Sequence, residues 1–193
     1  MTAHLIWIGG TDAAAMTARV RAIVPEADFT ISAFPVENWN RDLSPWAAPA
    51  VFDEPFAGGG AETLRRLRDA AGEGAYLAGY SLAGLFALWA LHQGGFAGAA
   101  SCSGSVWYPG WADWAAAHPR GSDAAVYLSL GVKEERTRHP VMRTVGDATR
   151  AYHASLAHVA ARQLTWHPGG HFTDPESRIA QGLAWLAVQA KEE

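Results

Sequence analysis

The stretch Gly79-Tyr80-Ser81-Leu82-Ala83-Gly84 places a serine between small residues, where a short β-prone run gives way to an apolar run at helical spacing. A serine lifted out on a tight strand-to-helix turn is the form a nucleophile takes. Such a turn needs small side chains two before and two after the serine, so that strand and helix can close on each other. Gly79 and Ala83 meet that need. The turn also aims the helix N-terminus at the reacting centre, and the backbone N–H of Leu82 can then donate to the negative oxygen of a tetrahedral intermediate. The plainer reading of Ser81 is a helix N-cap. A serine hydroxyl is also a weak nucleophile until a base removes its proton, so a histidine and an orienting acid are required elsewhere in the chain.

Chain order supplies both. Where a serine stands on such a turn, the acid follows it and the histidine comes last. After the run 126–130 comes Gly131-Val132-Lys133-Glu134-Glu135, which puts a carboxylate at a strand end, where the catalytic residues of open sheets gather. Glu134 is the expected acid and Glu135 its rival; a solvated charge run is the alternative for both. Trp166-His167-Pro168-Gly169-Gly170-His171-Phe172 forms a Gly-rich loop ahead of the final helix, from which His171 can reach Ser81 as the base, while His167 is closer to the strand and structural. His153 and His158 fall on a helix surface. A second oxyanion donor is expected from Ile8-Gly9-Gly10-Thr11, through the amide of Gly10 or Thr11, with a helix-capping turn as the alternative. A metal held by His167, His171 and Asp174 is a rival, less favoured hydrolytic reading. The cluster lacks a His-Glu-x-x-His helix and cysteine partners, so no metal or other cofactor is expected. Gly9-Gly10 lacks the remainder of a dinucleotide-binding fingerprint.

The elements that must position these residues follow from periodicity. Strands are predicted over 5–8, 29–34, 75–79, 97–101, 126–130 and 163–166, and helices over 12–24, 61–71, 82–92, 141–161 and 178–188, with a long polar loop before residue 60. Alternating short strands and helices imply an α/β protein, a mostly parallel sheet with helices on both faces. The chain of 193 residues, 49% hydrophobic and 18% charged, is expected to form one domain over residues 1–193. A net charge of −4 without basic runs argues against nucleic acid. With one cysteine and an N-terminal apolar stretch too short for a signal or a membrane span, a cytoplasmic location without membrane attachment is expected. Self-association stays open. Nine tryptophans are many for this length. Trp39 and Trp46 precede the serine; Trp107, Trp111 and Trp114 follow it. They either line an apolar acyl or aryl pocket or plug the core.

Together these motifs resemble the esterase branch of the α/β-hydrolases that includes esterase D-like and enterochelin-esterase-like enzymes. The resemblance spans nearly the whole chain. Beyond the serine turn, Trp39-Asn40-Arg41-Asp42-Leu43-Ser44-Pro45-Trp46 is similar to that family's Arg-Asp-aromatic-Thr-Pro loop, Ser129-Leu130-Gly131 with Glu134 to its acid motif, and Gly170-His171-Phe172 to its histidine loop. The chain departs in using Glu where relatives often carry Asp and in having Ala83 where many have Gly. Its short length implies that the usual first two strands are missing. The resemblance implies a compact α/β-hydrolase fold and hydrolysis of a small-molecule ester or thioester through an acyl-enzyme on Ser81. The alternative is a hydrolase fold whose site has decayed into a binding role.

Overall fold

The computed structural model describes residues 2–190. In chain order the elements are β1 (Ala3–Ile8), α1 (Ala13–Ile23), β2 (Phe29–Phe34), α2 (Trp39–Asp42), β3 (Ala47–Ala48), β4 (Phe56–Ala57), α3 (Gly60–Ala71) and β5 (Ala75–Tyr80). They continue with α4 (Leu82–His92), β6 (Phe96–Cys102), α5 (Trp111–Ala117), β7 (Ala125–Gly131), α6 (Val145–Ser155), β8 (Ala161–His167) and α7 (Pro175–Gln189). Six strands form one sheet in the order β2-β1-β5-β6-β7-β8, every pair parallel. Parallel strands demand crossover helices, and these cover both faces. Met16 and Val20 of α1 pack with Ile179, Leu183 and Leu186 of α7 on one face. Leu64 and Leu67 of α3, most of α4 and Tyr152 of α6 pack on the other.

The helices start and stop for local reasons. Asp12 caps α1 by accepting from the Ala15 amide at 2.9 Å. In α3, Leu64 and Leu67 face inward while Arg65 bonds Glu62 and Asp69 on the exposed side, and Gly72 ends the helix at φ 73°. Every residue from Leu82 to Leu91 is buried, as expected of a helix laid into a sheet with further layers around it.

Two expectations are corrected. The predicted polar loop before residue 60 contains α2 and the β3–β4 hairpin, because Asn38 caps α2 through the Arg41 amide and buried Asp42 accepts the amides of Glu37 and Asn38. The predicted helix 141–161 is shorter: a single 3₁₀ turn (Met142–Thr144) precedes α6, which stops at Ser155. Leu156 and Val159 keep helical spacing, but they are the buried anchors of a turn that delivers Ala161 to β8 opposite Ala125. Among the described residues no helix is long and apolar enough to cross a membrane.

The topology places the site. After β2 the chain returns to the opposite side of β1 to form β5, so the strand order switches direction between β1 and β5. Crossovers there leave on opposite faces and open a crevice at the strands' C-terminal ends. Ser81 stands directly after β5 in that crevice.

Candidate active site

Ser81 has φ 57° and ψ −122°, a conformation a non-glycine residue adopts only when its surroundings enforce it. The enforcement is visible. The Ser81 amide donates to the Cys102 carbonyl at 3.0 Å, and the Ser81 carbonyl accepts from Leu85 and Ser105. A Cβ on Gly79 would run into the Ala83 carbonyl, and one on Gly84 would lie 2.9 Å from Ser101 Oγ. Gly79→Ala is therefore expected to destabilise the fold by about 2 to 3 kcal/mol through a clash with backbone that cannot yield, measured as a lowered denaturation midpoint. An unchanged midpoint would show that the turn is not the rigid element described.

The three sequence candidates meet. His171 Nε2 lies 3.1 Å from Ser81 Oγ, and His171 Nδ1 lies 2.8 Å from Glu134 Oε2. The Glu134 side chain is 1% exposed. Burial pushes its carboxyl up, but hydrogen bonds from His171, Ser103 and the Gly131 amide outweigh burial and hold it below the usual carboxylate range. An ionised carboxylate only accepts, so Nδ1 carries the imidazole proton and Nε2 turns its lone pair toward the Ser81 hydroxyl. Glu135 is elsewhere: it pairs with Arg150 at 2.7 Å and packs beside Gly146. His167, at the end of β8, is buried and pushed down in pKa, first by burial and then by the Arg178 guanidinium. Asp174 is exposed at the start of α7, and among the described residues no group of three or more His, Cys, Asp or Glu side chains is placed to hold a metal ion.

A cavity of about 680 Å³ opens onto Ser81 and His171. Its walls are mostly apolar, formed by Trp39 from α2, Phe52 and Phe56 around the β3–β4 hairpin, Trp107 after β6, Met142, and Phe172 beside the histidine. Of the five tryptophans named as pocket candidates, Trp39 and Trp107 line it; Trp46, Trp111 and Trp114 do not. Trp46 packs edge-on to Tyr108 and donates to the Pro109 carbonyl at 3.0 Å, while Trp111 is 1% exposed and stacked on Trp114 beneath the site. Trp111 is part of the core, and Trp46 packs against it from a half-buried position. Leu82 lines the cavity from the N-terminus of α4. Gly10 and Thr11 are not among the lining residues; the Gly10 amide closes a turn on the Trp7 carbonyl at 3.3 Å, and Thr11 is exposed.

No protein-family model and no curated protein sequence matches the chain. Solved structures do. An IroE-like serine hydrolase from Shewanella oneidensis superposes with a TM-score of 0.73 at 14% identity, covering 97% of this chain and 71% of that one. Acyl-protein thioesterase 2 from Zea mays gives 0.61 at 15% identity over 97% and 94%. Enterobactin esterase FES from Shigella flexneri gives 0.67 at 20% identity over 100% of this chain and 53% of its own. The chain has the α/β-hydrolase fold. Ser81 stands on the turn that follows β5, in the middle of that fold's sheet.

Sequence reasoning did not single out Ser103, Tyr80 or Arg178 as parts of the site. Ser103, at φ 46°, donates to Glu134 Oε1 at 2.7 Å, and Tyr80 donates to the His171 carbonyl. A legible signal existed for Arg178. It is a cation in the first turns of a helix, where the dipole disfavours positive charge, and it is flanked by the apolar Ile179 and Ala180. An arginine so placed needs an anion nearby.

Proposed function

We propose that the protein is a serine hydrolase that cleaves a carboxylic ester or thioester through an acyl-enzyme on Ser81. The observation that carries this reading is the unbroken relay from Ser81 Oγ through both imidazole nitrogens of His171 to buried Glu134. In this mechanism Nε2 takes the Ser81 proton as Oγ attacks the carbonyl carbon. Glu134 holds the imidazole in that tautomer and stabilises the imidazolium, which then protonates the leaving alcohol or thiol. The Leu82 amide, at the N-terminus of a helix buried from Leu82 to Leu91, donates to the developing oxyanion. Water then enters, loses a proton to Nε2 and releases the acid.

The cavity supports an acyl or aryl group of modest size as the substrate's apolar portion, since most of its exposed wall is apolar. The structural neighbours named above are a serine hydrolase, a thioesterase and an esterase, which agrees with that substrate class. The direct test is labelling with a fluorophosphonate followed by intact mass. Wild type is expected to gain one adduct and Ser81→Ala none, alongside hydrolysis of a short-chain aryl ester by wild type alone. A wild type that neither labels nor turns over the ester would overturn the reading.

A further inference from the structure

Beneath the relay lies a buried cation that the mechanism above does not use. The Arg178 side chain, 3% exposed, enters from α7 behind Glu134. Its Nη1 donates to Glu134 Oε1 at 3.0 Å, to Ser103 Oγ at 2.9 Å and to the Tyr80 hydroxyl at 3.2 Å. Its Nη2 donates to the carbonyls of Pro168 at 3.0 Å and Gly170 at 2.9 Å. One planar group therefore ties together the acid after β7, the residue before the nucleophile, and the loop that carries the base. The Tyr80 hydroxyl in turn donates to the His171 carbonyl, so the histidine's backbone is held through both its own loop and β5.

A guanidinium in a buried site of this kind is costly unless every donor is used and a charge is matched. Its five acceptors here come from four chain segments: three carry or adjoin a member of the relay, and the fourth, through Ser103, donates to Glu134. We propose that Arg178 is the positioning residue of this active site: it keeps Glu134 ionised and aimed at His171 Nδ1, and it fixes the loop that sets His171 against Ser81. The proposal rests on the reading of Ser81, His171 and Glu134 as a catalytic relay.

The charge has a second consequence. The groups facing the Glu134–His171 pair are Arg178 from α7, Tyr80 from β5, the neutral His167 from β8, and Lys133, exposed on the loop of Glu134 itself. Arg178 is the buried cation among them. Removing it raises the proton affinity of the pair, so the protonation that silences the base occurs at higher pH.

The test compares Arg178→Gln, which retains donors without charge, and Arg178→Lys, which retains charge without the fork, with wild type and Ser81→Ala. For Arg178→Gln we expect kcat to fall about 10- to 100-fold with KM within about twofold, and the acid limb of kcat/KM to move up by about one pH unit. Arg178→Lys should leave the acid limb at its wild-type position while kcat stays below wild type, because an ammonium cannot serve five acceptors. Wild-type kcat in either variant, or an acid limb that moves equally in both, would overturn the proposal. If the Gln variant does not fold, the Lys variant decides alone by the same criteria: a lowered kcat with an unmoved acid limb supports the proposal, and wild-type kcat or a shifted limb overturns it. Failure of the relay itself is seen separately, as a Ser81→Ala protein that retains activity.

Discussion

Ser81→Ala is expected to lower kcat/KM for ester hydrolysis by about 10,000-fold or more, with His171→Ala close to it and the double variant scarcely worse than either. The magnitude follows from the division of labour. Attack needs an oxygen nucleophile and a base acting in one step, so losing either removes the same covalent route. What remains is water attacking a carbonyl still held by the cavity and the Leu82 amide. Folding should be untouched by Ser81→Ala, because alanine occupies the φ 57° position with the same strain, and neither the amide bond to the Cys102 carbonyl nor the bonds from the Leu85 and Ser105 amides involve the hydroxyl. Steady-state kinetics on one aryl ester, with denaturation midpoints for each variant, separate chemistry from stability. Losses that multiply in the double variant would mean that Ser81 and His171 do not act as a unit.

How much of this was legible before the structure depends on whether a residue's role is set by its neighbours along the chain. Ser81 was legible because the demands of its turn are local: small residues at Gly79 and Ala83, a strand before and a helix after. His171 and the sheet order were legible for a related reason, since chain order in a parallel α/β fold constrains where each loop emerges. The boundaries of β2, Phe29–Phe34, followed from its apolar run and the proline beyond it. Roles decided by long-range partners were not legible. Adjacent Glu134 and Glu135 differ in which one meets Ser103, Arg178 and His171 and which meets Arg150. Trp46 and Trp111 resemble Trp39 and Trp107 in sequence context, and only their tertiary partners, Tyr108 and Trp114, distinguish plug from wall. The amide of Gly10, one of the two oxyanion donors offered from the Gly10–Thr11 segment, closes a local turn on the Trp7 carbonyl.

The difference between the two glutamates leads to the second large effect, Glu134→Gln, for which kcat is expected to fall about 1,000- to 10,000-fold while KM changes little. Three donors converge on Oε1 of Glu134: Ser103 Oγ and the Gly131 amide, each at 2.7 Å, and Arg178 Nη1 at 3.0 Å. A glutamine there must give them its oxygen, which turns its NH₂ toward His171 Nδ1. Nδ1 then has to accept, the ring proton moves to Nε2, and the nitrogen facing Ser81 can no longer take its proton. The substitution also leaves Arg178 buried without its anion, a loss of about 3 kcal/mol of stability. Wild-type stability has an acid-sensitive part with the same origin. Because the folded state holds the Glu134 carboxyl below its ordinary range, the stabilisation is complete above the unfolded-state value and is lost as pH falls through the folded one. Glu134→Gln should lack that part of the acid decline. Glu135→Gln breaks only a half-exposed pair with Arg150 and should change stability by less than about 1 kcal/mol, with kcat near wild type. A larger catalytic loss in Glu135→Gln than in Glu134→Gln would assign the acid to the wrong residue here. Equal small losses in both would mean that the imidazole keeps its productive tautomer without a carboxylate, and the hydrogen-bond logic of the buried network would have to be abandoned.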